Sequence, residues 1–65
     1  MTYTIKTSAK PNVWFITEDI DKALDIMHTL QVENPNCPIE RQSYGDAGDL
    51  QTVTTFINGK IVYDN

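Results

Sequence analysis

The sequence predicts a small α+β fold, a two-layer sandwich in which one helix packs on a mostly antiparallel sheet. Apolar residues recur at helical spacing in one segment only, between Thr17 and Gln31. Short β-rich runs lie on both sides of that segment, and Asn58-Gly59 separates the last two of them. The predicted order of elements is therefore β-β-α-β-β-β.

The length of 65 residues predicts a single domain, residues 1–65. A core of this size rarely contributes more than about 3 to 5 kcal/mol to stability without a disulfide, a metal or a partner. Cys37 is the only cysteine, so the chain cannot form an internal disulfide or a CxxC redox pair. Association with another chain is one way in which such a small core is completed.

The first run, Thr2–Thr7, alternates in polarity and predicts a half-buried strand with Tyr3 and Ile5 on one face. After a turn, Val13–Ile16 is apolar and aromatic without alternation. Such a run is typical of a strand that is covered on both faces, so we place it at the centre of the sheet.

The helix is predicted over residues 18–32. Thr17 is the expected N-cap. Asn34 can take a left-handed conformation and Pro35 cannot continue the helix, so we expect the helix to end between Gln31 and Glu33. The apolar stripe of this helix consists of Ile20, Ala23, Leu24, Met27 and Leu30.

The N-terminal half of this helix carries a group of carboxylates, which we call the acidic helix face. Negative charge at this end compensates the helix dipole and increases solubility, which is one interpretation of the group. The other is a binding face that occupies a basic groove on a partner protein, as a mimic of nucleic-acid phosphates would. The acidic helix face consists of Glu18, Asp19, Asp21 and Asp25.

After the helix, Ile39–Tyr44 is polar enough to predict an edge strand. The runs Leu50–Ile57 and Lys60–Tyr63 predict a hairpin, because Asn58-Gly59 tolerates the positive φ angles of a type I′ turn. The expected register pairs Ile57 with Lys60 and, further from the turn, Thr55 with Val62.

This hairpin has apolar side chains on both faces. We expect the helix to cover the face that carries Phe56, Ile61 and Tyr63. The other face would then form an exposed apolar patch, which predicts an interface with a partner or a second copy. The alternative is a sheet that curls on itself or simply exposes scattered apolar residues. The predicted sheet-face patch consists of Trp14, Val53, Ile57 and Val62.

No catalytic or cofactor signature is found in the sequence. His28 lies one helical turn after Asp25, but nothing in the spacing brings a nucleophile to this pair. The turn from Asp46 to Asp49 lacks the alternating acids and the closing glutamate of an EF-hand. No glycine-rich phosphate loop follows a strand. We therefore expect no enzymatic activity, no cofactor and no metal.

The formal net charge of −4 restricts the class of partner. Binding to nucleic acid requires a basic surface that displaces counterions from phosphates, so we expect no direct nucleic-acid binding. A protein with a basic surface is the more natural partner. The N-terminus shows neither a signal peptide nor a membrane span, and we expect a complete, soluble, cytoplasmic chain with no membrane contact.

These features together predict a small acidic module without enzymatic activity that binds a cellular protein and inhibits or modulates it. Short accessory proteins of bacteria and phages are of this type. The alternative is a structural homo-oligomer, in the simplest case a homodimer, which assembles through the exposed sheet face.

Overall fold

The computed structural model describes all residues of the chain, Met1–Asn65. Five strands form one sheet of order β2-β1-β3-β4-β5 in which all neighbours are antiparallel. One helix lies on one face, which confirms the predicted α+β class and element order. The elements are β1 (Thr2–Thr7), β2 (Phe15–Thr17), α1 (Ile20–Glu33), β3 (Ile39–Tyr44), β4 (Leu50–Ile57) and β5 (Lys60–Asp64).

Strand β3 lies at the centre of the sheet, so its prediction as an edge strand is wrong. It pairs with β1 on one side and with β4 on the other, and both Ile39 and Ser43 are buried. Its polar residues Glu40 and Gln42 belong to the sheet face that no helix covers, whereas Arg41 and Ser43 lie on the helix side. There Gln42 donates to Glu40 and accepts a hydrogen bond from the Tyr44 hydroxyl. The polar residues at alternate positions of β3 therefore indicate one uncovered face and not an edge.

Strand β2 is a short edge strand, so the central position predicted for Val13–Ile16 is wrong. Trp14 is 47% exposed and Ile16 is 67% exposed. A turn in which the amide of Val13 donates to the carbonyl oxygen of Lys10 ends just before β2, which leaves three residues to pair with β1. A short apolar run does not by itself fix the position of a strand in a sheet.

Helix α1 begins two residues later than predicted, because Asp19 and not Thr17 is its N-cap. The Asp19 carboxylate accepts a hydrogen bond of 2.9 Å from the amide of Asp21. Thr17 accepts from the amide of Asp19 at 3.1 Å and so supports the turn that precedes the helix. At the other end the helix ends at Glu33, and Asn34 caps it with φ −143°, outside the left-handed region that asparagine can adopt.

The core lies between α1 and the half of the sheet formed by β1, β2 and β3. The residues around it are only partly buried: Tyr3, Phe15, Ile26 and Phe56. The five buried apolar residues are Ile5, Ala23, Met27, Leu30 and Ile39.

The hairpin follows the predicted register near its turn and departs from it further away. Ile57 pairs with Lys60, and both turn residues have the positive φ that a type I′ turn requires, 55° at Asn58 and 75° at Gly59. A β-bulge then shifts the register, so that Thr55 faces Tyr63 and not Val62. Because opposed residues share a face, the bulge moves Tyr63 to the face that the helix does not cover.

The helix therefore does not cover the hairpin face as we expected. Phe56 packs against the core, but its partner Ile61 is 58% exposed, and every residue of β5 is exposed. The helix is centred over β1, two strands away from β4, which explains why it does not reach β5.

Candidate protein-binding surfaces

The surface of this protein carries more large apolar side chains than its interior. Eleven large hydrophobic residues are exposed, whereas five hydrophobic residues are buried. Most of the exposed residues lie in two groups at opposite edges of the molecule. One group, Val13, Trp14 and Ile16, lies on or just before β2, and the other, Ile61, Val62 and Tyr63, lies on β5.

The four carboxylates of the acidic helix face are all exposed, and none of them forms an ion pair. The ion pairs of the protein lie elsewhere and join the N-terminus to Asp46, Lys6 to Glu40 and Lys10 to Glu33. Asp19 has a structural role as the N-cap. Asp21 and Asp25 lie one turn apart on the solvent side of α1. Their carboxylates have no such structural role, and only the backbone amide of Asp21 takes part in the cap.

The sheet face opposite α1, which we call the open face, is polar at its centre. Lys6 and Glu40 are paired across β1 and β3, and their side chains form an ion pair at 3.9 Å. The Lys6 ammonium also lies 4.8 Å from the centre of the Trp14 ring, a cation–π contact. Trp14 therefore borders a charged strip and not an apolar one.

The structure separates the residues of the predicted sheet-face patch. Val53 and Ile57 share the open face of β4 and are half-buried. Trp14 lies before β2, and both β1 and β3 lie between it and β4. Val62 sits at the β-bulge, where it has no direct partner on β4. The four residues therefore do not form one continuous apolar surface.

A groove of about 170 Å³ separates α1 from the hairpin. Ile61 extends its hairpin side, since it pairs with Phe56 and shares its face. We call this feature, together with Ile61, the helix–hairpin groove. Its lining residues are Leu24, Met27, His28, Gln31, Ile39, Phe56 and Gly59.

The groove lies where the sequence predicts a closed interface between Leu24 on the helix and Phe56 on the hairpin. Leu24 is 48% exposed in the structure. A helix is about 10 to 12 Å wide with its side chains, and strands are 4.7 to 4.9 Å apart, so one helix covers only part of a five-stranded sheet. That mismatch between one helix and five strands indicates an uncovered position on the sheet.

Arg41 lies beneath the groove on the same face of the sheet. Its guanidinium approaches the Sδ atom of Met27 at 3.9 Å and lies over the Phe56 ring. Its Nε atom is buried and has no hydrogen-bond acceptor, and no carboxylate pairs with its charge. The base of the groove thus carries a cation that packs on apolar groups.

His28 and Cys37 do not come together with other reactive groups. His28 lines the groove beside Gln31, and Cys37 lies half-buried in the loop after α1. No group of three or more His, Cys, Asp or Glu residues is placed to hold a metal ion. No helix has the length and apolar character needed to cross a membrane.

Comparisons of the chain with protein-family models, with curated protein sequences and with solved structures return no match. Function is therefore inferred from the surfaces described above.

Proposed function

We propose that this chain is a non-enzymatic module that binds another protein with a basic surface and inhibits or modulates it. The observation that carries this proposal is the combination of exposed apolar and acidic side chains around the helix–hairpin groove. There the exposed apolar side chains of Leu24 and Ile61 lie on the two sides of the helix–hairpin groove, and Asp21, one turn before Leu24, has no cationic partner. Contiguous exposed apolar surface on a small protein commonly marks an interaction site.

Electrostatics supports a basic partner. Lys6 and Lys10 are already engaged in ion pairs, whereas Asp21 and Asp25 are free to attract positive charge. With a net charge of −4, the chain repels acidic partners and attracts basic ones over a distance of about 8 to 10 Å at physiological salt. The acidic helix face then sets the rate and the specificity of association, and apolar contacts supply most of the affinity.

A structural homo-oligomer is the second candidate. The observation that favours it is the open face, which no helix covers and on which Val53 and Ile57 are only half-buried. The ion pair of Lys6 with Glu40 at its centre makes this face a weaker candidate, because burying charged groups in an interface carries a desolvation penalty.

The test of the proposed function is affinity capture of partners from cell extract, followed by quantitative binding of each captured protein. Charge reversal of both Asp21 and Asp25 to lysine is expected to weaken specific binding at least tenfold at low salt. A matched control reverses Asp46 and Asp49, which adds the same charge in the turn between β3 and β4. Equal effects of the two double variants would refute a role for the acidic helix face.

Light scattering over a wide concentration range separates the second candidate from the first. A monomer at all concentrations rules out the homo-oligomer. A dimer that Val53→Lys dissociates, and that persists at high salt in the wild type, would favour assembly through the open face and contradict the first proposal.

A further inference from the structure

The sheet has room for a second helix beside α1. Helix α1 packs on β1, β2 and β3, so its axis is centred over β1. Packed helices lie 8 to 10 Å apart, and strands lie 4.7 to 4.9 Å apart. The next helix position on this face is therefore two strands from β1, which places it over β4. In this protein that position holds only the helix–hairpin groove.

The walls and base of the groove suit an amphipathic helix. Leu24 lines the groove on the α1 side and is 48% exposed. Ile61 is paired with the lining residue Phe56, so it extends the groove on the hairpin side, and it is 58% exposed. Phe56 lies between them, packed against the core from below. An apolar stripe on an incoming helix would contact all three residues and remove them from water.

An extended strand does not fit this position. A strand adds to a sheet by pairing with backbone groups at its edge. The base of the groove is instead the face of β3 and β4, whose backbone groups already pair with each other. Only side chains are available there, so the occupant must satisfy its own backbone hydrogen bonds, as a helix does.

Two carboxylates on the groove side, Asp21 and Asp64, which we call the acidic rim, favour basic flanks on the incoming helix. The Arg41 cation at the base of the groove packs on Met27 and Phe56. Asp21 lies one turn before Leu24 on α1, and Asp64 ends β5 on the groove side, where Thr54 donates a hydrogen bond of 3.1 Å to it. Neither carboxylate has a cationic partner. A second copy placed here by two-fold symmetry would bring these acidic rims together, and each copy carries a net charge of −4. A helix with basic flanks pairs with them instead.

On the basis of the proposed protein-binding function, we infer that the helix–hairpin groove receives one amphipathic helix of the partner, with apolar residues on its inner face and lysine or arginine on its flanks. The occupant completes the second helix position over β4. The acidic rim orients it, and Leu24, Phe56 and Ile61 hold it.

The experiment uses the full chain and a synthetic amphipathic peptide of leucine and lysine with the length of α1. Binding is measured by isothermal titration, and the contact surface is mapped by NMR chemical shifts. We expect shifts at Leu24, Phe56 and Ile61, and none at the Trp14 indole on the open face. A peptide of the same pattern with glutamate in place of lysine is expected to show no binding.

Two matched variants separate docking from unspecific charge attraction. Ile61→Lys is expected to weaken binding at least tenfold, whereas Val32→Lys is expected to change it less than twofold. Both variants add one positive charge at an exposed apolar position, and Val32 is 68% exposed, away from the groove. Leu24→Lys repeats the test at the other wall of the groove, in case Ile61→Lys perturbs the hairpin.

Equal weakening by the Ile61 and Val32 variants, shifts that map to the open face, or no binding of the basic peptide would overturn the inference. The proposed function would still stand if a captured partner binds in a way that depends on Asp21 and Asp25. If that dependence is also absent, both proposals are wrong.

Discussion

The guanidinium carbon of Arg41 lies 5.4 Å from the centre of the Phe56 ring. This contact joins the central strand of the sheet to the hairpin beneath the helix–hairpin groove. The Arg41 Nε atom is buried without an acceptor, so the residue combines a favourable cation–π contact with an unpaired polar group.

Replacement of Arg41 by methionine is expected to increase the free energy of unfolding by about 1 kcal/mol. A buried donor without a partner costs about 1 to 3 kcal/mol, whereas a cation–π contact contributes about 0.5 to 1 kcal/mol. Methionine keeps the packing against Met27 and Phe56 without the unpaired group. Urea denaturation measures the difference, and a loss of more than about 1 kcal/mol would show that Arg41 has a partner in solution.

Replacement of Asp19 by alanine is expected to destabilise the protein by about 1 kcal/mol. The Asp19 side chain caps α1 by accepting from the amide of Asp21, and loss of an N-cap typically costs about 0.5 to 2 kcal/mol. Asp19→Asn keeps an acceptor oxygen and should cost less. Glu18→Ala is the matched control, because it removes a neighbouring charge and no cap. Equal thermal stability of the Asp19 and Glu18 alanine variants would contradict the assignment.

Replacement of Gly59 by alanine is expected to cost about 1 to 2 kcal/mol, since φ is +75° and side chains with a Cβ avoid this region. The added Cβ would also approach the Gln31 amide at 3.2 Å. Gly48→Ala is the control, because Gly48 has φ +84° and open space around it. Both variants share the strain of a positive φ angle. The difference between their free energies of unfolding, measured by chemical denaturation, therefore reports the contact with Gln31. We expect it to be small, because that side chain can move.

Replacement of Leu30 by alanine is expected to leave the chain largely unfolded. Leu30 is one of five buried apolar residues, and such a truncation costs about 2 to 5 kcal/mol. A domain of this size has about 3 to 5 kcal/mol available. Val32→Ala, at an exposed position of the same helix, should change stability by less than about 0.5 kcal/mol. A native circular dichroism spectrum and cooperative melting of the Leu30 variant would contradict this picture of the core.

The helix, the hairpin turn and the fold class could be predicted from the sequence because each depends on local signals. The stripe from Ile20 to Leu30 specifies a helix wherever it packs, and Asn58-Gly59 specifies a turn through its own backbone preferences. The N-cap was misplaced by two residues, since Thr17 and Asp19 are both good capping residues and only the geometry of the chain selects one.

The order of the strands and the position of the groove could not be predicted in this way. Both depend on which strands meet across the sheet, and neighbouring residues in the sequence do not encode that pairing. The run at Val13–Ile16 has the composition of a buried strand, yet it lies at an edge with Trp14 exposed. The groove exists because α1 is centred over β1, which is a property of the whole assembly.

The β-bulge in the hairpin has a further consequence for the behaviour of the chain at high concentration. Strand β5 is an uncovered edge with three exposed apolar residues, Ile61, Val62 and Tyr63, and an exposed edge strand offers unpaired backbone groups to another chain. The bulge disturbs the regular backbone spacing that an added strand must match, and Lys60 and Asp64 place charges at both ends. We therefore expect the irregularity that shifts the hairpin register also to hinder the addition of a further strand at this edge.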